Sequence, residues 1–137
     1  MGRVLPITSK TSNDWYAAIC KDQPDGVMLD AEAIESFNQA FDAYSSGAYG
    51  KAYGDFKKLA GKGSSISQYF LGVMCYRGIG ALQDFLRAHM WFNISASHGH
   101  RKARKYLDQL TRSLSREQVA EAQQMARHWV DQNLEIE

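Results

Sequence analysis

The chain has 137 residues, of which 45% are hydrophobic and 23% charged, a composition that indicates one globular domain and excludes a disordered or collagen-like chain. The formal net charge of +1 argues against a dedicated nucleic-acid-binding protein. No apolar run reaches the roughly 18 residues of a membrane span, and residues 1–10 lack the apolar stretch of a secretory signal. We therefore expect a cytoplasmic protein, or a periplasmic or secreted one if a leader has been removed.

The pattern along the chain predicts an all-α fold. Residues 1–30 are predicted to form a loosely packed N-terminal arm with a short helix at residues 14–21. From residue 31 onward, apolar residues recur at three- and four-residue intervals, which predicts helices; glycines between the stripes mark the stops. The stripes cover residues 34–44, 49–60, 69–76, 85–96, 103–110 and 119–129. Ser115 and Gln118 have the spacing of a capping box, which predicts the start of the last helix.

The predicted helices repeat in pairs. The segments that begin at Ser67 and Ala103 align at an offset of 36 residues, and this alignment places Leu71 opposite Leu107. Weak self-similarity of this kind is typical of helical repeat proteins, because only the packing positions need to recur.

The middle of the chain resembles the Sel1-like repeat family, which is related to tetratricopeptide repeats. Residues 67–85 read SQYFLGVMCYRGIGALQDF, close to the family pattern A-Q-Y-x-L-G-x-M-Y-x-x-G-x-G-V-x-Q-D-Y. Residues 88–100 read AHMWFNISASHGH and are similar to the second helix of that repeat. The resemblance covers about residues 31–132. The sequence departs from the pattern at Ser67, Cys75, Ala81 and Leu82.

This resemblance implies a short right-handed α/α-solenoid of about two to two-and-a-half helix pairs over residues 31–114, followed by a C-terminal capping helix over residues 115–134. Proteins of this family mainly mediate protein–protein interactions, so the resemblance implies a non-catalytic adaptor or scaffold that binds a protein or peptide. Some family members are bacterial immunity proteins. A bacterial immunity or chaperone-like protein that neutralises a cognate toxin or effector is therefore an alternative.

A partner is expected in the concave groove, which the first helix of each pair lines in such solenoids. Helical geometry and the repeat offset assign to the groove Glu35, Asn38, Asp42, Ile66, Tyr69, Val73, Tyr76, Lys102, Lys105, Gln109 and Arg112. These residues give the groove an acidic end, an aromatic middle and a basic end, a polarity that can orient a partner. In the alternative interpretation, Tyr69 and Tyr76 only cover the neighbouring helix pair.

The oligomeric state is left open by the sequence. Phe70 is expected at the surface, where it is either an anchor for the partner or a dimer contact. The N-terminal arm is a second candidate for a dimer contact, and it could instead occupy the groove of its own chain.

Residues with catalytic potential are few, and we expect no catalytic residue, metal or cofactor. His98 and His100, with His89, could ligate a metal, but they also fit a polar helix–turn junction in which Gly99 ends a helix. Cys20 or Cys75 could act as a nucleophile only with a histidine partner, and Cys75 is predicted to be a small buried side chain. A metal- or cysteine-dependent hydrolase is therefore the alternative from another class.

One dense basic run, RKARK at residues 101–105, is followed by Tyr106. Phosphate contacts and base stacking use these residue types, so RNA is one possible ligand of this run. Charge is unevenly distributed: residues 14–42 hold seven acids and one lysine, whereas residues 77–116 hold eight basic residues and two acids. The run also fits a solvated helix start or a contact with an acidic protein partner. Because the net charge is only +1, we expect a protein partner rather than nucleic acid.

Overall fold

The computed structural model describes residues 31–134 and is all-helical over that range, which confirms the predicted class. The arm at residues 1–30 and its short helix at residues 14–21 lie outside the described residues. The helices are α1 Ala31–Ser45, α2 Tyr49–Gly61, α3 Ser65–Arg77, α4 Phe85–Ser97, α5 Arg101–Ser113 and α6 Arg116–Asn133.

Side chains that cap the backbone define several helix starts. The Asp84 carboxylate accepts a hydrogen bond from the Arg87 backbone N–H at 3.0 Å, as expected of an N-cap. The predicted capping box is confirmed: the Ser115 hydroxyl accepts from the Gln118 N–H at 3.1 Å, and the Gln118 side chain accepts from the Ser115 N–H at 2.9 Å. These local bonds fix the start of α4 and of α6 independently of tertiary packing.

Close approach between α3 and α4 depends on a glycine. A Cβ added at Gly72 would lie 2.6 Å from a ring carbon of Phe92. The Phe92 ring is fully buried and stacks on Tyr106 with a centroid separation of 4.9 Å. The absence of a side chain at residue 72 therefore lets a large α4 ring pack directly on the α3 backbone.

Consecutive helices pack against each other from α1 to α5, and α6 makes its main contact with α4. The helix α4 consequently contacts three others, α3, α5 and α6. Aromatic rings join the first, third and fifth helices: Phe41 of α1 lies 6.0 Å from Phe70, and Tyr76 of α3 lies 5.8 Å from Tyr106. One continuous core therefore runs the length of the described residues.

Candidate functional site

The predicted groove residues on α1 and α5 reach the surface. Glu35 and Asp42 on α1 are exposed, and Asn38 between them is half-buried. On α5 the four predicted residues are all exposed: Lys102, Lys105, Gln109 and Arg112. The acidic and basic parts of the predicted site are therefore available to a partner.

The α3 part of the prediction requires correction, because Ile66, Phe70 and Val73 are 0%, 6% and 5% exposed. Ten of the thirteen α3 residues are buried, so this helix is covered on almost all sides and presents no free inner face. The Phe70 ring stacks on Phe56 at 5.0 Å and 7° instead of standing at the surface. The prediction that these three side chains are exposed to a partner is wrong, and Phe70 is not an exposed dimer contact.

Tyr69 and Tyr76 are half-buried and pack towards α5. The Tyr69 ring stacks on the His100 ring at 4.7 Å, and burial raises the pKa of Tyr69 to about 12, so its hydroxyl stays protonated. Tyr76 contacts Phe85 at 5.6 Å and Tyr106 at 5.8 Å. Both tyrosines thus cover the neighbouring helix pair, as the alternative interpretation predicts, while part of each stays at the surface.

The histidines near α4 and α5 each have a different hydrogen-bond partner. His98 Nδ1 lies 3.2 Å from Gln68 Oε1, and His89 Nε2 lies 3.0 Å from Thr111 Oγ1. His100 Nδ1 accepts from the Ala103 N–H and so serves as the N-cap of α5. Burial lowers the pKa of His89 and of His98, which favours their neutral forms. Within residues 31–134, no three His, Cys, Asp or Glu side chains are placed to hold a metal ion.

The thiol of Cys75 is fully buried. Its nearest polar contact is the Tyr53 hydroxyl at 3.8 Å, and burial raises the pKa of the thiol. A nucleophilic cysteine needs the opposite shift, because the thiolate is the reactive form. Cys75 is therefore the small buried side chain that the sequence predicts, and Cys20 lies outside the described residues.

One face of α5 is densely basic. We define the α5 basic face as the exposed residues Arg101, Lys102, Arg104, Lys105 and Arg112. The ion pairs found in the described part of the chain are Lys51–Asp55 at 2.7 Å and Arg87–Asp84 at 3.7 Å. None involves the α5 basic face, so its charge is not neutralised by carboxylates within residues 31–134.

A cleft of about 720 Å³ lies between α2, α4 and α6, a feature that the sequence analysis does not predict. Its floor includes Trp91, which is 2% exposed and meets the Trp129 ring at 4.9 Å in a T-shaped arrangement. The Trp91 indole N–H has no hydrogen-bond acceptor. Met125 and Trp129 belong to the apolar stripe that the sequence shows on the last helix. Only the tertiary structure shows that α6 and α4 leave a cleft between them.

Neither a scan against protein-family models nor searches of the curated proteins and of the solved structures finds a match to this chain. None of the helices in residues 31–134 has the length and apolar character needed to cross a membrane.

Proposed function

We propose that the chain is a non-catalytic protein-interaction module of the Sel1-like type. In this proposal α1 to α5 form a short right-handed solenoid, and α6 caps it. The partner contacts one side, made of exposed residues of α1 and α5 and the exposed parts of Tyr69 and Tyr76 on α3. The order of helix packing and the ring contacts that link α1 to α3 and α3 to α5 support this arrangement.

The observation that carries the proposal is the uneven charge of this side. Glu35 and Asp42 are exposed on α1, and the basic residues of the α5 basic face are exposed on the fifth helix. Exposed charges add little to folding stability, whereas separated patches of opposite sign steer a partner and fix its orientation. Cys75 is a buried, protonated thiol, and His89 and His98 are hydrogen-bonded to Thr111 and Gln68. These states favour binding over hydrolysis as the function.

A narrower version of the proposal is an immunity or chaperone-like protein with one cognate partner. The polarised side supports a dedicated partner as well as a general adaptor. The two differ in the number of proteins bound: a single dominant partner favours the narrower version, and several partners favour the adaptor.

Affinity capture from a lysate of the source organism tests the proposal, with captured proteins identified by mass spectrometry. Two variants change the proposed side, Glu35→Lys with Asp42→Lys and Lys102→Glu with Lys105→Glu. A matched control, Lys58→Glu with Glu121→Lys, changes exposed charges on α2 and α6. We expect a protein that the parent and the control retain and at least one test variant loses. Equal capture by all four proteins contradicts the proposed side.

A second candidate function is binding of a small apolar ligand in the cleft between α2, α4 and α6. The cleft volume of about 720 Å³ lies in the range of ligand pockets, and its lining includes the apolar side chains of Met90, Trp91, Met125 and Trp129. The uncharged dye N-phenyl-1-naphthylamine is a suitable probe. We expect its fluorescence to rise with the parent and to rise less with Trp129→Ala; an equal rise with both proteins contradicts this candidate.

A further inference from the structure

The α5 basic face has a regular geometry. Arg101, Lys105 and Arg112 follow each other at intervals of four and seven residues, which correspond to about 6 and 10.5 Å along a helix that rises about 1.5 Å per residue. Helical periodicity places these three side chains in one line on the exposed surface, with Lys102 and Arg104 on either side of it. The line is long enough to meet about three turns of a second helix.

The balance of charge on α5 is strongly positive. Asp108 is the one carboxylate of the helix, and it lies on the same line between Lys105 and Arg112. No ion pair within 4 Å joins it to any of the basic side chains in the described part of the chain. Four net positive charges on thirteen residues therefore face solvent.

A notch of about 360 Å³ lies beside this face, at the corner between α4 and α5. Arg101, Arg104 and Lys105 form its charged rim, and Ala96 and Gly99 contribute small surfaces to it. At about 30 Å³ per water, the notch has room for roughly a dozen waters. A carboxylate side chain of a partner therefore fits the notch and meets three basic side chains there.

The aromatic rings next to this face favour carboxylates over RNA bases as ligands. The Tyr106 ring stacks on the buried Phe92 at 4.9 Å and 10°, and the Tyr69 ring stacks on His100 at 4.7 Å. Single-stranded RNA binding needs ring faces that are open to bases, whereas these faces are occupied by other rings. The basic side chains are accessible to a ligand, but the ring faces on which RNA bases would stack are largely covered by other rings.

We propose that the α5 basic face binds an acidic helical segment of a partner protein, with carboxylates spaced to match Arg101, Lys105 and Arg112 and one carboxylate in the notch. This inference rests on the proposed function and names the chemistry of the partner for it. Helical carboxylates at intervals of four and seven residues lie in one line, so both partners present matching rows of opposite charge. The attraction is electrostatic and weakens with salt.

The test uses labelled peptide probes and fluorescence anisotropy. The first probe is an alanine- and glutamine-based helical peptide with glutamates at the matching intervals, and the second has glutamine in place of each glutamate. A single-stranded RNA oligonucleotide of equal charge is the third probe. We expect the glutamate peptide to bind at about 0.15 M salt, more tightly than the RNA, and the glutamine peptide not to bind.

Two variants locate the binding. Lys105→Gln with Arg112→Gln is expected to weaken binding of the glutamate peptide about fivefold to tenfold. Lys57→Gln with Lys58→Gln removes two exposed charges from α2 and is expected to leave binding within about twofold. Unfolding midpoints by circular dichroism verify that each variant is folded.

Three outcomes overturn the inference: equal binding of the glutamate and glutamine peptides, equal weakening by both variants, or tighter binding of RNA than of the glutamate peptide. These outcomes are distinguishable from failure of the proposed function. If capture identifies a partner that depends on Glu35 and Asp42 while the peptide does not bind α5, the module function stands and the acidic-segment inference fails. If the peptide binds but no protein is captured through this side, the proposed function fails.

Discussion

Gly72 occupies a position where a single methyl group is expected to be costly. Its Cβ would lie 2.6 and 2.7 Å from two ring atoms of Phe92, a fully buried ring that stacks on Tyr106 and cannot shift without disturbing that contact. We expect Gly72→Ala to lower the free energy of unfolding by about 1–3 kcal/mol through overpacking. Denaturant unfolding measures this change.

Gly54 provides the matched control, because it lies inside α2 and a Cβ there meets no atom within 4 Å. Gly54→Ala is expected to raise stability by about 0.5–1 kcal/mol through helix propensity. Equal effects of the two alanine substitutions would show that the contact with Phe92 does not limit residue 72.

His89 and His98 are expected to make stability depend on pH. Burial lowers their pKa values from the ordinary 6.5, so the unfolded chain takes up protons before the folded chain as the pH falls. Stability is therefore complete above about pH 6.5 and decreases as the pH falls from 6.5 towards the lowered folded-state values. Urea unfolding at several pH values between about 5 and 7.5 tests this dependence.

His89→Gln removes the more buried of these two histidines and is expected to reduce the loss of stability at low pH. His128→Gln is the control, because His128 is exposed on α6. An unchanged pH dependence in His89→Gln would contradict the assignment to His89. Protonation of His89 is unfavourable because its Nδ1 is buried without a partner, and a new N–H at that atom would have no acceptor.

At the scale of single helices, the start of α4 depends on Asp84. Its carboxylate caps the Arg87 N–H at 3.0 Å and lies 3.7 Å from the Arg87 guanidinium, a solvent-exposed ion pair. We expect Asp84→Ala to lower the free energy of unfolding by about 1 kcal/mol, the usual value of an N-cap. Asp84→Asn keeps an oxygen acceptor and is expected to change stability by only a few tenths of that amount.

Comparison of the two variants by thermal and denaturant unfolding separates the cap from the ion pair. Equal losses in Asp84→Ala and Asp84→Asn would assign the effect to charge and contradict the capping role. The same comparison is available at Ser115, where the capping box starts α6.

The helices themselves were predictable because their signals are local. Ala88, Trp91 and Phe92 belong to one predicted stripe and are buried, whereas Phe85 at its start is exposed. Exposure on α3 was not predictable in the same way. Periodicity placed Ile66 and Val73 on a free side, but both are buried in a helix that packs against both α2 and α4. The period of one helix shows which residues are apolar but not how many neighbours cover that helix.

The charged part of the candidate site was predictable from α1 and α5 because both have a clear polar face. Lys105 and Arg112 follow the helical period and are exposed, as predicted. The cleft beside Trp129 was not predictable, because the sequence shows which face of α6 is apolar but not how closely that face meets α4.

At the scale of the whole molecule, α6 covers one side of α4. Trp91 is 2% exposed, and its ring meets Trp129 of α6 at 4.9 Å. We expect Trp129→Ala to lower the free energy of unfolding by about 2 kcal/mol, less than the 3–5 kcal/mol of a fully buried tryptophan because Trp129 is half-buried. Denaturant unfolding provides the measurement.

His128→Ala, next to it on the exposed side of α6, serves as the control and is expected to stay within about 0.5 kcal/mol of the parent. A loss in Trp129→Ala no larger than in this control would indicate that α6 contributes little to the stability of the other helices.

The turn after α3 has a consequence for the distance between this turn and α2. Gly80 has a φ of +78°, and a Cβ there would lie 2.7 Å from the Tyr49 carbonyl oxygen at the start of α2. The Met74 side chain reaches the same point, with its terminal carbon 2.7 Å from that Cβ. The turn after α3 therefore approaches the main chain of α2 as closely as a residue without a side chain allows, and any larger residue at position 80 would push the turn and α2 apart.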